Sequence, residues 1–113
     1  MLGFELFFQL LVGHALADFV LQSDAMGRGK NRHNNIPKDA DSSFPRWYYW
    51  LSAHALIHGG IVYLLTGSLA LGLIETFAHG LIDFAKCEGK IGLNTDQALH
   101  IACKIAYVLV VLG

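Results

Sequence analysis

Eight residues able to ligate a metal stand in pairs four positions apart: His14 and Asp18, His54 and His58, His79 and Asp83, Asp96 and His100. On a helix that spacing puts both members of a pair on one face, one turn apart. Neutral imidazole and carboxylate are the mixed N/O ligands of zinc, manganese and iron, and helical bundles build such sites between facing helices. A lone histidine in a buried helix is more commonly a hydrogen-bonded core residue, and Asp96 alone could be an acid favoured at a helix N-terminus. The set argues otherwise, because five of the six histidines have a His or Asp partner at this spacing and only His33 stands apart. The eight residues are therefore expected to hold one or two divalent ions, two by preference. Zinc is the first choice of metal, manganese and iron are alternatives, and some of the eight would orient ligands rather than bind.

The densest stretch is ETFAHGLIDFAK, Glu75 to Lys86. Glu75 lies one turn beyond His79, and Lys104 one turn beyond His100, which predicts a Glu75–Lys104 ion pair deep in the structure. Glu75 could instead act as a general base or a further ligand. Gln22, Gln97 and Lys86 flank the mouth of the cluster. Lys86 either grips an anionic group or extends its ammonium to the surface. Glu75 and Lys86 are the candidate catalytic residues.

These side chains need elements to position them, and the composition suggests a bilayer around those elements. The chain has 113 residues, 54% hydrophobic and only 15% charged, and its mean hydropathy is +0.45. A soluble domain of this size has too much surface to cover with so little polar material. The net charge of −1 gives no sign of nucleic-acid binding. Cys87 and Cys103 lack CxxC spacing and read as ordinary thiols.

The expected architecture is a single all-α domain over 1–113, a bundle of four transmembrane helices at about 2–22, 46–66, 69–86 and 95–112. A long polar loop, 23–45, joins the first two. The first run lacks a preceding Lys or Arg and is too long for a typical signal peptide, so it reads as a retained span. The loop carries Arg28, Lys30, Arg32 and Lys38 and reads as a solvated connection or, alternatively, a headgroup lid. Trp47, Tyr48, Tyr49 and Trp50 open the second helix as interfacial aromatics. Gly59 and Gly60 would let a neighbouring backbone approach, and Ala98, Ala102 and Ala106 form a small-residue stripe suited to close packing. Thr66-Gly67-Ser68 is a tight turn, and Asn94 or Thr95 can cap the last helix.

Both longer connections, 23–45 and 87–94, fall on the side that holds every Lys and Arg outside the mid-helix Lys104. The positive-inside rule makes that side cytoplasmic and puts both termini outside. Counted from there, all four pairs lie at comparable depth. Asp18, His54, Asp83 and Asp96 form an outer layer, and His14, His58, His79 and His100 a deeper one.

The order of motifs resembles an uncharacterised bacterial and phage membrane family, domain of unknown function 3307. The likeness rests on His14-x-x-x-Asp18-Phe19-x-x-Gln22, His54 with His58, His79-x-x-Ile82-Asp83-x-x-Lys86, and Asp96-Gln97-x-x-His100. It implies a small multi-spanning inner-membrane protein and brings no reaction with it. A looser similarity is to membrane-bound metal-dependent hydrolases. Three functions compete: a metallohydrolase acting on a lipid or lipid-linked substrate at the cytoplasmic leaflet, a divalent-ion or proton transporter or sensor, and a metal-free structural or interaction protein. Membrane lipid is the expected partner, and a second copy of the chain could help to close the site.

Overall fold

The computed structural model describes residues 2–34 and 43–113, so the stretch of the expected loop that includes Lys38 lies outside the described residues. The described chain is all-helical. Helix α1 (Leu2–Ala15) runs into a π-helical turn (Leu16–Val20), followed by the short α2 (Asp24–Gly29), α3 (Trp47–Thr66), α4 (Leu69–Cys87) and α5 (Leu93–Leu112). Each of the four long helices packs against two neighbours, in the ring order α1, α3, α4, α5 and back to α1.

Local chemistry explains where the elements start and stop. Gly67 takes a left-handed conformation (φ 73°) and donates to the Tyr63 carbonyl at 2.8 Å, which ends α3. Ser68 then caps α4 by accepting from the Leu71 amide at 3.2 Å. The expected tight turn is thus built from a helix stop and a helix start. α5 begins earlier than expected: Gly92 is its cap, and Asn94 and Thr95 fall inside the first turn. The α3–α4 hairpin is close because two glycines meet. A Cβ on Gly59 would lie 2.6 Å from the Gly72 carbonyl oxygen, and one on Gly72 would lie 2.9 Å from that of Gly59. Gly60 faces open space and takes no part in this approach.

The expectation for the alanine stripe is corrected: Ala98, Ala102 and Ala106 are exposed, while α5 buries Asp96, His100, Lys104, Tyr107 and Val108. The inward face of α5 is set by its polar residues, and the alanines occupy other sides.

Every long helix buries a stripe that is polar toward one end of the bundle and apolar toward the other. Along α1 the buried residues run Leu6, Leu10, Gly13, His14. In α3, His54 and His58 precede Val62; in α4, Leu71 precedes Glu75, His79 and Asp83. Leu6, Leu10, Val62, Leu71, Tyr107 and Val108 form one apolar core at the end near the termini. The exterior has the opposite character. Phe4, Leu64, Phe77 and Leu81 are each more than 70% exposed, whereas eleven polar or charged residues are buried among the described residues.

Among the described residues, two helices are long and apolar enough to cross a membrane, Leu2–Val20 and Leu93–Leu112. The α3 sequence is made less apolar by its opening aromatics and two histidines, and that of α4 by Glu75, Asp83 and Lys86.

Candidate metal centre

α1 delivers its ligand-type residues through the π turn. The Leu21 amide bonds to the Leu16 carbonyl at 2.8 Å, an i to i+5 bond, and Asp18 lies buried within that wider turn. π turns recur at functional sites. Asp18 Oδ1 is 3.0 Å from His54 Nε2, 3.2 Å from His58 Nε2 and 3.7 Å from His79 Nε2. Three imidazoles from two helices thus turn the same nitrogen toward one carboxylate oxygen from a third.

A tetrahedral zinc ion about 2.0–2.1 Å from its ligands spaces them roughly 3.3 Å apart. The three observed separations bracket that figure. Asp18, His54, His58 and His79 form a group whose ligand atoms all lie within 4.8 Å of one another, and all four residues are buried. Glu75, His79 and His100 form a second such group, sharing His79. These groups could hold a metal ion. Of the nitrogens turned toward Asp18, His58 Nε2 and His79 Nε2 are buried without a hydrogen-bond partner, and an ion there would satisfy both. Each unsatisfied buried polar atom costs about 1–3 kcal/mol.

The expected two-layer arrangement is redistributed. Asp18 reaches residues of both layers, His54 of the outer and His58 and His79 of the deeper. Asp83 Oδ2 receives Lys30 Nζ at 2.6 Å and lies 3.6 Å from His54 Nε2, with Lys86 Nζ 3.4 Å from Oδ1. Asp96 accepts from Gln97 Nε2 at 3.0 Å and lies 3.3 Å from His100 Nε2. His14 Nε2 pairs with Gln97 Oε1 at 3.0 Å, and Gln97 Nε2 also donates to Asp18 Oδ2 at 2.9 Å. Gln97 therefore ties His14, Asp18 and Asp96 together rather than flanking a mouth. The His79 ring stacks between those of His58 (centroids 3.5 Å apart) and His100 (4.1 Å).

The deep Glu75–Lys104 pair has the expected form. Lys104 Nζ donates to Glu75 Oε2 at 2.6 Å, and the Tyr107 hydroxyl donates to Oε1 at 2.8 Å. Glu75 Oε2 is also 3.4 Å from His79 Nδ1. Tyr107 escaped the sequence reading, although its place three residues after Lys104 sets it on the same face.

Lys30 was the larger omission. Its side chain is only 4% exposed. Gly27 and Gly29 read as loop residues, yet Ser23 accepts from the Met26 amide at 3.0 Å and starts the helix that carries Lys30 inward. The signal was the Ser23-Asp24 start, an N-cap residue followed by an acid in the first turn. Trp50 packs against Gly29, where an added Cβ would meet the indole ring at 2.3 Å. Outside the bundle, Arg32 donates from Nε to Glu88 Oε2 at 3.0 Å and from Nη2 to Oε1. Those bonds hold the Glu88 carboxyl below its ordinary range and raise the Arg32 guanidinium. A depressed carboxylate stabilises the fold above its unfolded pKa, and this contribution fades as pH falls through the folded value.

Fold and site together define a class: an all-helical protein whose interior is a cluster of imidazoles and carboxylates able to hold a metal ion. Residues 6–113 match the family model described as Protein of unknown function (DUF3307), and the chain belongs to that family. No curated protein and no solved structure matches it.

Proposed function

We propose that the protein is an integral membrane metalloprotein in which all four long helices cross the bilayer. His54, His58, His79 and Asp18 would hold a zinc-type ion used to hydrolyse a lipid or lipid-linked substrate at the cytoplasmic leaflet. The convergence of three Nε2 atoms around Asp18 Oδ1 carries this reading. Support for the membrane comes from the inverted distribution of polarity, with large apolar side chains outside and charge inside. α3 and α4, at 20 and 19 residues, are also about as long as the other two helices and about the length a bilayer requires. The excess of Lys and Arg at the α2 end favours an orientation with 23–45 and 87–94 cytoplasmic and both termini outside.

A divalent ion at this place supplies Lewis-acid activation of water for attack on a phosphoester, acyl or amide bond. Gln97 holds the other Asp18 oxygen, Oδ2, and with it His14. Lys86, half-buried where α4 ends, is placed to meet an anionic group. Glu75 is engaged through both oxygens, so in this reading it supports the site rather than taking a proton from water. An apolar groove lined by Trp47, Leu51, Ala55, Phe77, Leu81 and Phe84 runs along α3 and α4 and suits an acyl chain.

Transport ranks second because the apolar core at the terminal end obstructs a path to the other face. Purified protein in vesicles of bacterial phospholipid should release phosphate or fatty acid, stop on chelation and restart with zinc, and Asp18→Asn should be inactive. Metal-loaded protein that cleaves neither type of bond would remove the hydrolase. Labelled zinc entering sealed proteoliposomes would put transport first.

A further inference from the structure

The two candidate groups share His79 and invite a pair of ions. We infer that the centre takes a single divalent ion, that the Lys104 ammonium stands where a second would be held, and that Glu75 is a positioning residue for His79. The inference rests on the metal-binding reading above.

Charge supports it first. With neutral imidazoles, the buried carboxylates Asp18, Glu75, Asp83 and Asp96 face the buried lysines Lys30 and Lys104. That leaves a net charge of −2, which one divalent ion cancels. A second ion would leave the interior at +2; with half-buried Lys86 counted as well, one ion leaves +1 and a second leaves +3. In a low-dielectric interior such an imbalance is costly.

Geometry agrees. Glu75 Oε2, the oxygen nearest His79 Nδ1, already holds Lys104 Nζ at 2.6 Å, and Oε1 holds the Tyr107 hydroxyl. The cation of the second group is therefore built into α5. His79 presents Nε2 to the Asp18 group and Nδ1 to Glu75, 3.4 Å away, and His58 Nδ1 lies 4.0 Å from the same oxygen. A carboxylate behind a ligating imidazole selects the tautomer that leaves the other nitrogen free for metal.

Zinc titration of the detergent-purified full chain, followed by elemental analysis, should give one equivalent per chain. Two equivalents would overturn the single-ion assignment, whereas none would instead overturn the metal reading beneath it. The isoelectric double variant Glu75→Gln with Lys104→Met removes the carboxylate without stranding a charge. It should still bind one equivalent, ten- to a hundredfold more weakly, with shifted cobalt(II) d–d bands. Wild-type affinity with unchanged bands would show that Glu75 merely balances Lys104 and overturn its positioning role.

Discussion

Asp18 and Asp83 are both acids in four-residue pairs with histidine, yet their surroundings divide their work. Asp18 faces four imidazole nitrogens and a neutral amide, whereas Asp83, 3.6 Å from His54 Nε2, is met by an ammonium at 2.6 Å. Removing one partner of a buried ion pair costs about 3–5 kcal/mol because the other charge is left stranded. Lys30→Ala should therefore destabilise the bundle toward the lower end of that range, since Lys86 lies 3.4 Å from the other Asp83 oxygen. The isoelectric Lys30→Met with Asp83→Asn should recover most of the loss. Thermal unfolding in detergent measures both, and a Lys30→Ala protein as stable as wild type would contradict the pairing. The spacing of His and Asp in the sequence singled out eight residues that the fold buries in its interior. It could not divide ligands from ion-paired carboxylates, because that depends on a lysine fifty-three residues from Asp83.

At the scale of elements, the α3–α4 hairpin sets how His54 and His58 meet His79, and the two helices touch through Gly59 and Gly72. A side chain at Gly59 collides with backbone as well as with Thr76, so relaxation must separate the helices. Gly59→Val should cost at least about 1–3 kcal/mol and lower zinc affinity with it. Gly60→Ala meets nothing and should raise stability by about 0.5–1 kcal/mol through helix propensity. Unfolding midpoints of the two variants check this, and equal effects would contradict the close approach. The long helices were readable because apolar runs and the Thr66-Gly67-Ser68 turn bound them. The π turn was not, since a one-residue widening leaves no mark in hydropathy. α2 was hidden because two of its six residues are glycine.

Across the whole molecule, the four long helices devote their inward faces to polar residues in one half and apolar residues in the other. The apolar half holds the helices together, and the polar half gathers the buried imidazoles, carboxylates and lysines. The outward-facing alanines of α5 show where periodicity misleads: in an inverted bundle the polar side of a helix turns in, so a small-residue stripe need not mark the packed face. Asp18, His54, His58 and His79 are the proposed ligands of a metal ion in this interior. Zinc-edge X-ray absorption on detergent-purified protein tests this assignment most directly. The predicted spectrum shows multiple scattering from three imidazoles and one oxygen ligand at about 2.0–2.1 Å; absence of bound metal, or a shell of sulfur or of oxygen alone, would contradict it.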